Sequence, residues 1–364
     1  MNETIYNVLD RIEKQGFEAF VIGGYVRDLL LKKKSHDIDI TTNARPKDIK
    51  EIFKDYEIEF LEYGNVSFNI GDYSFEITTY RKDINYVNKR KPEKIEYVDS
   101  LEEDIKRRDF TVNTICMDKK GKIIDTLNAK EDIRKKVIKS VGDPYKKMEE
   151  DALRILRAIR ISTILKFRLD GTLIDAIKKN KSGLKELSYT RKKEELNKIF
   201  LSSNKSRGVK LLKELDLLGE LELKNIDNVL KTNYSTGMWA TICCGEYPFT
   251  KNEKALIKDV NSLLLEDIND DKVLYKYGLY AINVVCDLKK INKKKVVKRY
   301  ENLPIKDKKD INITTEDICK VFDKEAGPFI SEIIEDLEIS ILNKEVDNKK
   351  EDLIAYLKEK YVVL

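Results

Sequence analysis

The chain has 364 residues, too long for one compact core, and roughly two to four domains are expected. Its 70 Lys and Arg residues and 65 Asp and Glu residues give a net charge of only +5, so a polyanion site must come from local basic clusters. The only histidine, His36, excludes a histidine-rich zinc site and a His-Asp phosphohydrolase. Five cysteines without metal-ligand spacing, no signal peptide and no membrane-length apolar run predict a cytoplasmic protein.

Periodicity divides the chain into a mixed part and a helical part. Residues 1–138 alternate strand and helix patterns, which predicts an α+β domain around one small sheet, and from Pro144 onward the pattern is helical. The predicted fold class is therefore α+β, with a strand-rich head followed by all-helical domains. The predicted strands cover 18–22, 36–41, 58–62, 66–70, 73–80, 94–98, 113–118 and 122–125, and the helices of this part cover 3–15, 24–32, 46–54, 101–106 and 129–135.

A glycine turn follows the first predicted strand. Gly23 and Gly24 come directly after the apolar run 19–22, and their backbone amides can approach a phosphate closely because no side chain intervenes. Arg27 lies one helical turn later and can clamp the same phosphate. Each feature alone is most often a plain turn or a surface ion pair, so the turn predicts a phosphate site only in combination with other motifs.

The next strand carries two acids on one face. Asp37 and Asp39 alternate with apolar residues, and alternate side chains of a strand point the same way. Two neighbouring carboxylates repel each other unless a cation lies between them, and magnesium is the usual one beside substrate phosphates. The pair therefore predicts a catalytic metal site. Glu76, in the strand 73–80, is either a third acid of this site or an ordinary cross-strand partner, while His36 is interpreted as a structural neighbour.

Two further motifs carry guanidinium and carboxylate groups. In the run 104–113, Arg108 suits a phosphate, Asp109 can accept from sugar hydroxyls, and Asn113 can donate or accept. The alternative is a helix end with a salt bridge.

In the run 149–160, Asp151 and Arg154 are three residues apart and are predicted to share one helix face. Such a pair can match the edge of a nucleobase. The alternative is a surface ion pair between Glu150 and Arg154.

Two segments outside these motifs also carry predictions. Residues 82–94 are mostly polar, lack helical periodicity and include several basic residues before Pro92, which predicts a mobile surface loop. Basic residues cluster at 293–295 and 298–299, which is compatible with a nucleic-acid partner or with a solvated helix face.

In this order, the four motifs resemble those of the class II tRNA nucleotidyltransferases of the bacterial CCA-adding type. The motifs are Gly-Gly-x-Val-Arg-Asp, Asp-x-Asp, Arg-Arg-Asp-x-x-x-Asn and Glu-Asp-x-x-Arg, and they span residues 23–154. Weaker similarity continues near Leu303-Pro304-Ile305 and Gly327-Pro328-Phe329-Ile330. One departure is Thr190, where many relatives carry an acid.

The resemblance implies a domain order, substrates and site residues. It implies a nucleotidyltransferase head over 1–138, a helical neck with the base-selecting motif over 139–205, a helical body over 206–300 and a tRNA-binding tail over 301–364. It also implies Mg²⁺, CTP and ATP, with tRNA as primer. No membrane is expected, and no protein partner is implied. Asp37 and Asp39 are the predicted catalytic and metal-binding residues. The predicted nucleotide-binding residues are Gly23, Gly24, Arg27, Arg108, Asp109, Asn113, Glu150, Asp151, Arg154 and Arg157.

The expected activity is template-independent addition of CCA to the 3′ end of tRNA by two-metal nucleotidyl transfer. An A-adding tRNA nucleotidyltransferase and a bacterial poly(A) polymerase share the head and remain alternatives. A non-enzymatic RNA-binding relative is a third, and the retained pair Asp37 and Asp39 argues against it. In the family resembled here, a flexible loop at 82–94 accompanies the ability to add A.

Overall fold

The computed structural model describes residues 2–61, 64–87, 91–243 and 245–361. It divides into two compact units. The first contains Met1–Leu223 with Gly245–Pro248, and the second contains Lys224–Cys244 with Phe249–Leu364. This division falls inside the predicted body, 206–300, and the four-domain scheme stays a prediction.

A seven-stranded mixed sheet forms the centre of the first unit. Its strand order is β3-β4-β5-β2-β1-β8-β9, while β10 pairs with β11 and β6 pairs with β7 in separate two-stranded sheets. The strands β2 and β5 are parallel, and every other pairing described in the seven-stranded sheet is antiparallel. The strands are β1 (Ala19–Ile22), β2 (Asp37–Thr42), β3 (Glu59–Phe60), β4 (Val66–Ile70), β5 (Tyr73–Thr79), β6 (Arg81–Val87), β7 (Lys91–Tyr97), β8 (Cys116–Met117), β9 (Ile123–Ile124), β10 (Val137–Ile138) and β11 (Arg168–Leu169).

The first unit also contains a series of helices. The N-terminal helix shows why they form: Asn2 caps it by accepting from the Thr4 amide, and Ile5, Val8, Leu9 and Ile12 repeat at helical spacing and are all buried. The helices of this unit are α1 (Glu3–Glu13), α2 (Gly24–Leu30), α3 (Pro46–Ile52), α4 (Leu101–Arg107), α5 (Ala129–Lys135), α6 (Pro144–Glu150), α7 (Leu153–Leu165), α8 (Gly171–Asn180), α9 (Tyr189–Phe200) and α10 (Lys205–Glu214).

The second unit is helical over its described residues and has its own hydrophobic core, which includes Val260, Leu274, Ile282 and Leu337. One long helix, α13, contains a break at Gly278, whose φ of 69° is a backbone conformation that glycine adopts without strain. None of the described helices is both long and apolar enough to cross a membrane. The helices of this unit are α11 (Ser235–Ile242), α12 (Lys251–Leu263), α13 (Asp271–Lys289), α14 (Lys293–Glu301), α15 (Thr315–Phe322), α16 (Phe329–Leu342) and α17 (Lys350–Tyr361).

The strand-rich head and the helical remainder agree with the predicted fold class, with two local differences. A two-residue strand, β11, lies in the part predicted to be helical. The prediction of a loop over 82–94 is wrong for the described residues, because β6 and β7 form an antiparallel pair from Arg81↔Tyr97 to Val87↔Lys91. The two segments satisfy each other's backbone groups, and that pairing needs no alternating apolar pattern. Residues 88–90 lie outside the described part of the chain.

Candidate active site

One cavity of about 910 Å³ in the first unit gathers the predicted site residues. Its walls come from the turn between β1 and α2, from β2 and β5, from the end of α4, and from α7 and α9. Of the residues predicted to act, all but Glu150 line it: Gly23, Gly24, Arg27, Asp37, Asp39, Arg108, Asp109, Asn113, Asp151, Arg154 and Arg157.

The glycine turn lies directly against the acid strand. Gly23 has φ 80° and ψ −131°, a conformation that side chains disfavour, and a Cβ placed on it would lie 3.2 Å from Oδ2 of Asp39. Only glycine therefore allows the backbone to approach this carboxylate. Gly23 precedes α2, whose first residue is Gly24, so the turn presents backbone amides at a helix start.

The two acids of β2 point into the cavity from the same strand. Asp37 is exposed and Asp39 is partly buried. Burial raises the pKa of Asp39 most, Glu76 and Asp37 raise it as well, and the nearby Arg108 lowers it, which together give a pKa of about 6. No ion pair joins either carboxylate to a residue in the described part of the chain. A cation that binds here would relieve the repulsion between them.

Glu76 lies beside Asp39, because β2 and β5 are parallel and these two residues are in register. Its Oε1 accepts from Nδ2 of Asn65 at 2.8 Å, so it already has a hydrogen-bond partner. Within residues 2–61, 64–87, 91–243 and 245–361, no group of three His, Cys, Asp or Glu side chains is arranged to hold a metal. The carboxylates of Asp37 and Asp39 both line the cavity, and hard oxygen ligands of this kind would suit Mg²⁺ with substrate phosphates.

Arg27 is fixed between two neighbours. Its Nε donates to Oδ1 of Asp28 at 2.9 Å, and its Nη1 donates to Oδ1 of Asn113 at 2.7 Å. Arg27 therefore forms an ion pair with Asp28, as the plainer interpretation of this arginine would have it, and it also lines the cavity. Asn113 acts as an acceptor for the arginine, which orients both side chains at the glycine turn.

Asp104 anchors the arginine pair at the end of α4. Its fully buried carboxylate accepts from Nε of Arg107 at 2.8 Å, from Nη2 of Arg108 at 3.1 Å and from the Thr41 hydroxyl at 3.1 Å. Burial raises the pKa of Asp104, but the guanidinium groups of Arg108 and Arg107 outweigh burial and leave that pKa below its ordinary value. The helix-end salt bridge considered from the sequence therefore exists, and it holds both arginines in the cavity wall.

Asp109 is bound to Arg157. Its Oδ2 accepts from Nε of Arg157 at 2.7 Å and lies 2.6 Å from Nη2, while Oδ1 accepts from the Phe110 amide at 2.8 Å. Burial raises the pKa of Asp109, but the charge of Arg157 and these hydrogen bonds dominate and bring it to about 2. The carboxylate is therefore ionised and fixed in place.

Asp151 and Arg154 line the cavity, but they do not share a helix. Asp151 follows α6 with an extended backbone, and its Oδ1 accepts from the Leu153 amide at 2.9 Å, so it caps the start of α7. The prediction of one continuous helix is wrong because this carboxylate satisfies a free amide of the new helix. Burial raises the pKa of Asp151, although Arg154 lowers it. Nη1 of Arg154 donates to Oε2 of Glu150 at 3.0 Å, so the alternative ion pair is also present.

Three family models match separate parts of the chain. The Poly A polymerase head domain matches residues 19–139, the RNA and SrmB-binding site of polymerase A matches 166–226, and tRNA nucleotidyltransferase domain 2 matches 247–357. A CCA-adding enzyme of Staphylococcus haemolyticus is 31% identical over 387 residues, covering 97% of this chain and 96% of that protein.

The chain belongs to the CCA-adding enzymes. A CCA-adding enzyme of Streptococcus pneumoniae is 33% identical over 97% of this chain and 96% of its own length. The crystal structure of a Bacillus stearothermophilus CCA-adding enzyme in complex with CTP is 27% identical, with a TM-score of 0.83 over 100% of this chain and 99% of that chain. These similarities confirm the predicted family, fold class and enzyme class.

The cavity is also lined by residues to which the sequence assigned no role. The charged and amide side chains among them include Asn65, Arg81, Asp83, Arg160, Arg191 and Lys198. A sequence signal existed for Arg160, because it continues the three-residue spacing of Arg154 and Arg157 along α7. Its Nη1 donates to Oε1 of Glu195 at 2.9 Å, which links α7 to α9.

Proposed function

We propose that this cavity is where the CCA-adding enzyme joins nucleotides to its primer. As a member of that family, the chain adds C, C and A to the 3′ end of tRNA without a nucleic-acid template, with CTP and ATP as substrates. The observation that carries the site assignment is the carboxylate pair of Asp37 and Asp39, which faces a wall of guanidinium groups in a single cavity. Carboxylates that hold metal and arginines that hold phosphate are the two requirements of nucleotidyl transfer.

Asp37 and Asp39 would hold Mg²⁺. When bound, the metal would help to deprotonate the primer 3′ hydroxyl and would balance the charge of the triphosphate. The 3′ oxygen, once its proton has passed to solvent, forms a bond to the α-phosphorus. The bond between the α-phosphorus and the oxygen that bridges to the β-phosphate breaks, and pyrophosphate leaves with that oxygen. Gly23, Gly24 and Arg27 would bind the triphosphate through amides and a guanidinium, and Arg108 would add a second positive charge.

Asp151 and Arg154 would select the base. Cytosine and adenine both present an amino donor beside a ring-nitrogen acceptor, whereas uracil and guanine present a carbonyl acceptor beside a ring N–H donor. A carboxylate acceptor next to a guanidinium donor matches the first pattern and opposes the second. Asp109, held ionised by Arg157, would accept from a sugar hydroxyl.

The helical domains would hold the tRNA acceptor arm, largely through phosphate contacts. The basic residues of α14 in the second unit are candidates for such contacts. We place the enzyme in the cytoplasm, with tRNA, CTP and ATP as its partners and with no protein partner implied.

The decisive experiment offers the enzyme tRNA that lacks its last three nucleotides. A full CCA-adding enzyme extends it by two residues with CTP alone and by three with CTP and ATP. An A-adding enzyme gives no product with CTP alone, and a poly(A) polymerase adds repeated A to unstructured RNA with ATP. No product on any of these RNAs, with tRNA still bound, would indicate a non-enzymatic relative and overturn the proposal.

The β6–β7 ribbon allows a test of how the final A is added. Its base lies next to the site, because Arg81 and Asp83 line the cavity and α4 packs on β6. Shortening residues 83–91 should leave CC addition largely intact and abolish A addition, if the ribbon helps the site accept ATP after CTP. The product ladder from tRNA lacking three nucleotides measures both steps. Normal full-length product would remove the ribbon from the mechanism.

A further inference from the structure

Lys147 of α6 is a partly buried cation to which neither the motifs nor the cavity assign a role. Its Nζ donates to the carbonyl oxygens of Lys106 and Arg107, at 3.0 and 3.1 Å. These two residues are the last of α4, where helix carbonyls lack partners within the helix. A positive charge is also favourable at this end of a helix. Lys147 therefore ties α6 to the C-terminal end of α4.

The same residue also holds the base-selecting arginine. The backbone carbonyl of Lys147 accepts from Nη1 of Arg154 at 2.8 Å. The adjacent Lys146 is exposed and has no such contact to any described residue. Burial lowers the pKa of Lys147 most, the nearby Arg154 also lowers it and Glu150 opposes the shift, which together give a pKa of about 8. A lysine kept in such surroundings differs from the solvated lysines that dominate this chain.

Lys147 thus joins two parts of the cavity wall. On one side, α4 carries Arg107 and leads into Arg108, both held by Asp104. On the other side, α6 and the break before α7 carry Asp151 and Arg154. The side chain of Lys147 binds the first part and its carbonyl binds the second, so its two contacts connect the phosphate-facing and the base-facing arginines.

We propose that Lys147 is a positioning residue that keeps Arg154 correctly placed relative to Arg108. Arg154 then contacts the base of a nucleotide whose triphosphate is bound at Arg108. This inference rests on the proposed function of the cavity. It predicts that the loss of the Lys147 ammonium group reduces discrimination between nucleotides more than it reduces nucleotide affinity. Displacements of about 1 Å at a remote support can cost up to about a hundredfold in rate, so a loss of roughly tenfold in discrimination is expected.

The experiment compares Lys147→Met with Lys147→Arg and with the exposed neighbour variant Lys146→Met. The ratio of kcat/KM for CTP to that for UTP is measured on tRNA lacking three nucleotides, together with the KM for CTP. Lys147→Met should lower the ratio roughly tenfold with a smaller change in KM. Lys147→Arg, which can still donate to two carbonyls, should restore the ratio, and Lys146→Met should match the wild type. An unchanged ratio in Lys147→Met would overturn the inference.

Two controls separate positioning from a general loss of stability. Ile5→Val creates a small defect in the buried face of α1, and its discrimination ratio should stay at the wild-type value even if its unfolding midpoint falls as far as that of Lys147→Met. In an Arg154→Ala background, Lys147→Met should cause no further loss, because both act through one guanidinium. An additive loss would contradict the inference. If the wild-type enzyme itself adds no CCA, the proposed function fails instead.

Discussion

The acid strand and the arginine wall of the cavity hold their charges in opposite ways. Asp37 and Asp39 on β2 form no ion pair with any residue in the described part of the chain, and burial raises the pKa of Asp39 to about 6. Across the cavity, Arg108 and Arg157 are bound to the buried carboxylates Asp104 and Asp109. The carboxylates of one side have no ion-pair partner among the described residues, whereas the guanidinium groups of the other side already have one.

In the proposed site, the carboxylates without partners bind the metal, whereas the paired arginines position the nucleotide. Two carboxylates without an ion-pair partner lower the free energy of unfolding, and a bound cation would raise it again. Arginines paired with buried carboxylates keep their geometry before the substrate arrives, so less ordering is needed on binding. Variants that remove one kind of charge at a time test this distinction.

Removing either carboxylate from the strand should have the largest effect. Asp37→Asn and Asp39→Asn each delete a ligand charge, and we expect addition of both C and A to fall by at least about a thousandfold while tRNA still binds. Single-turnover rates at saturating Mg²⁺ measure this loss. Asp72→Asn, an exposed aspartate between β4 and β5, is the matched control and should behave as the wild type. Near-normal rates in either strand variant would refute the metal assignment.

Arg154→Ala should reduce discrimination among the four nucleoside triphosphates by up to about a hundredfold, with a smaller effect on triphosphate binding. The guanidinium is proposed to pair with the base, whereas the phosphates are held elsewhere. Competition assays with CTP, ATP, UTP and GTP measure the preference.

Glu150→Gln is the informative partner, because it weakens the ion pair to Arg154 but leaves the guanidinium in place. It should cost less discrimination than Arg154→Ala. If Arg154→Ala leaves the nucleotide preference unchanged, Arg154 has only a structural role in its ion pair with Glu150.

The two sides should also respond to pH in opposite directions when divalent cations are removed. The pKa of Asp109 is about 2 in the folded state, below its ordinary 3.8, so its contribution of about 2 kcal/mol is present above pH 4 and is lost as the pH falls. The pKa of Asp39 is about 6, above 3.8, so the unfolded chain ionises first. The free energy of unfolding should therefore fall by about 3 kcal/mol as the pH rises from 4 to 6.

Urea unfolding midpoints measured between pH 3 and 7 in EDTA test both the expected rise and the expected fall in the free energy of unfolding. Asp39→Asn should remove the decline between pH 4 and 6, and Asp109→Asn should flatten the rise between pH 3 and 4. Asp72→Asn again serves as the control. A wild-type decline that persists in Asp39→Asn would mean that another group causes it.

The smallest effect is expected in the second unit, where the basic residues of α14 divide in the same way. Lys293 is paired with Asp287 at 2.7 Å and Arg299 with Asp271 at 2.6 Å, whereas Lys294, Lys295 and Lys298 are exposed. Replacing the three exposed lysines by Gln should weaken tRNA binding and reduce its salt slope by up to about 2, because fewer counterions are released.

CTP binding should not change in that triple variant. Lys293→Gln is the control from the same helix, and its salt slope should stay close to that of the wild type because its charge is already paired. Equal slopes in all variants would mean that α14 is only a solvated face.

The sequence predicted those features that depend on neighbouring residues. Alternation placed Asp37 and Asp39 on one face, and the glycine pair marked a turn. It did not predict the carboxylate partners of the arginines across the chain, since Asp109 and Arg157 are 48 residues apart and only tertiary packing brings them together. The helix across Asp151 was predicted wrongly because its side chain competes for a backbone amide. The strand β6 and the start of β7 were missed because backbone pairing defines them, although the predicted strand 94–98 overlaps the end of β7.

The parallel junction between β2 and β5 has a consequence for how the enzyme folds. Antiparallel ribbons lie on both sides of it, β4 with β5 and β1 with β2, and each can form from segments close in the chain. Asp39 meets Glu76 only when the two ribbons dock. Conservative substitutions at this junction, such as Ile40→Val, should therefore speed unfolding rather than slow refolding, and chevron kinetics measure the difference. The chain would then bring Glu76 beside Asp39 last, after the two strand pairs that carry these carboxylates have formed.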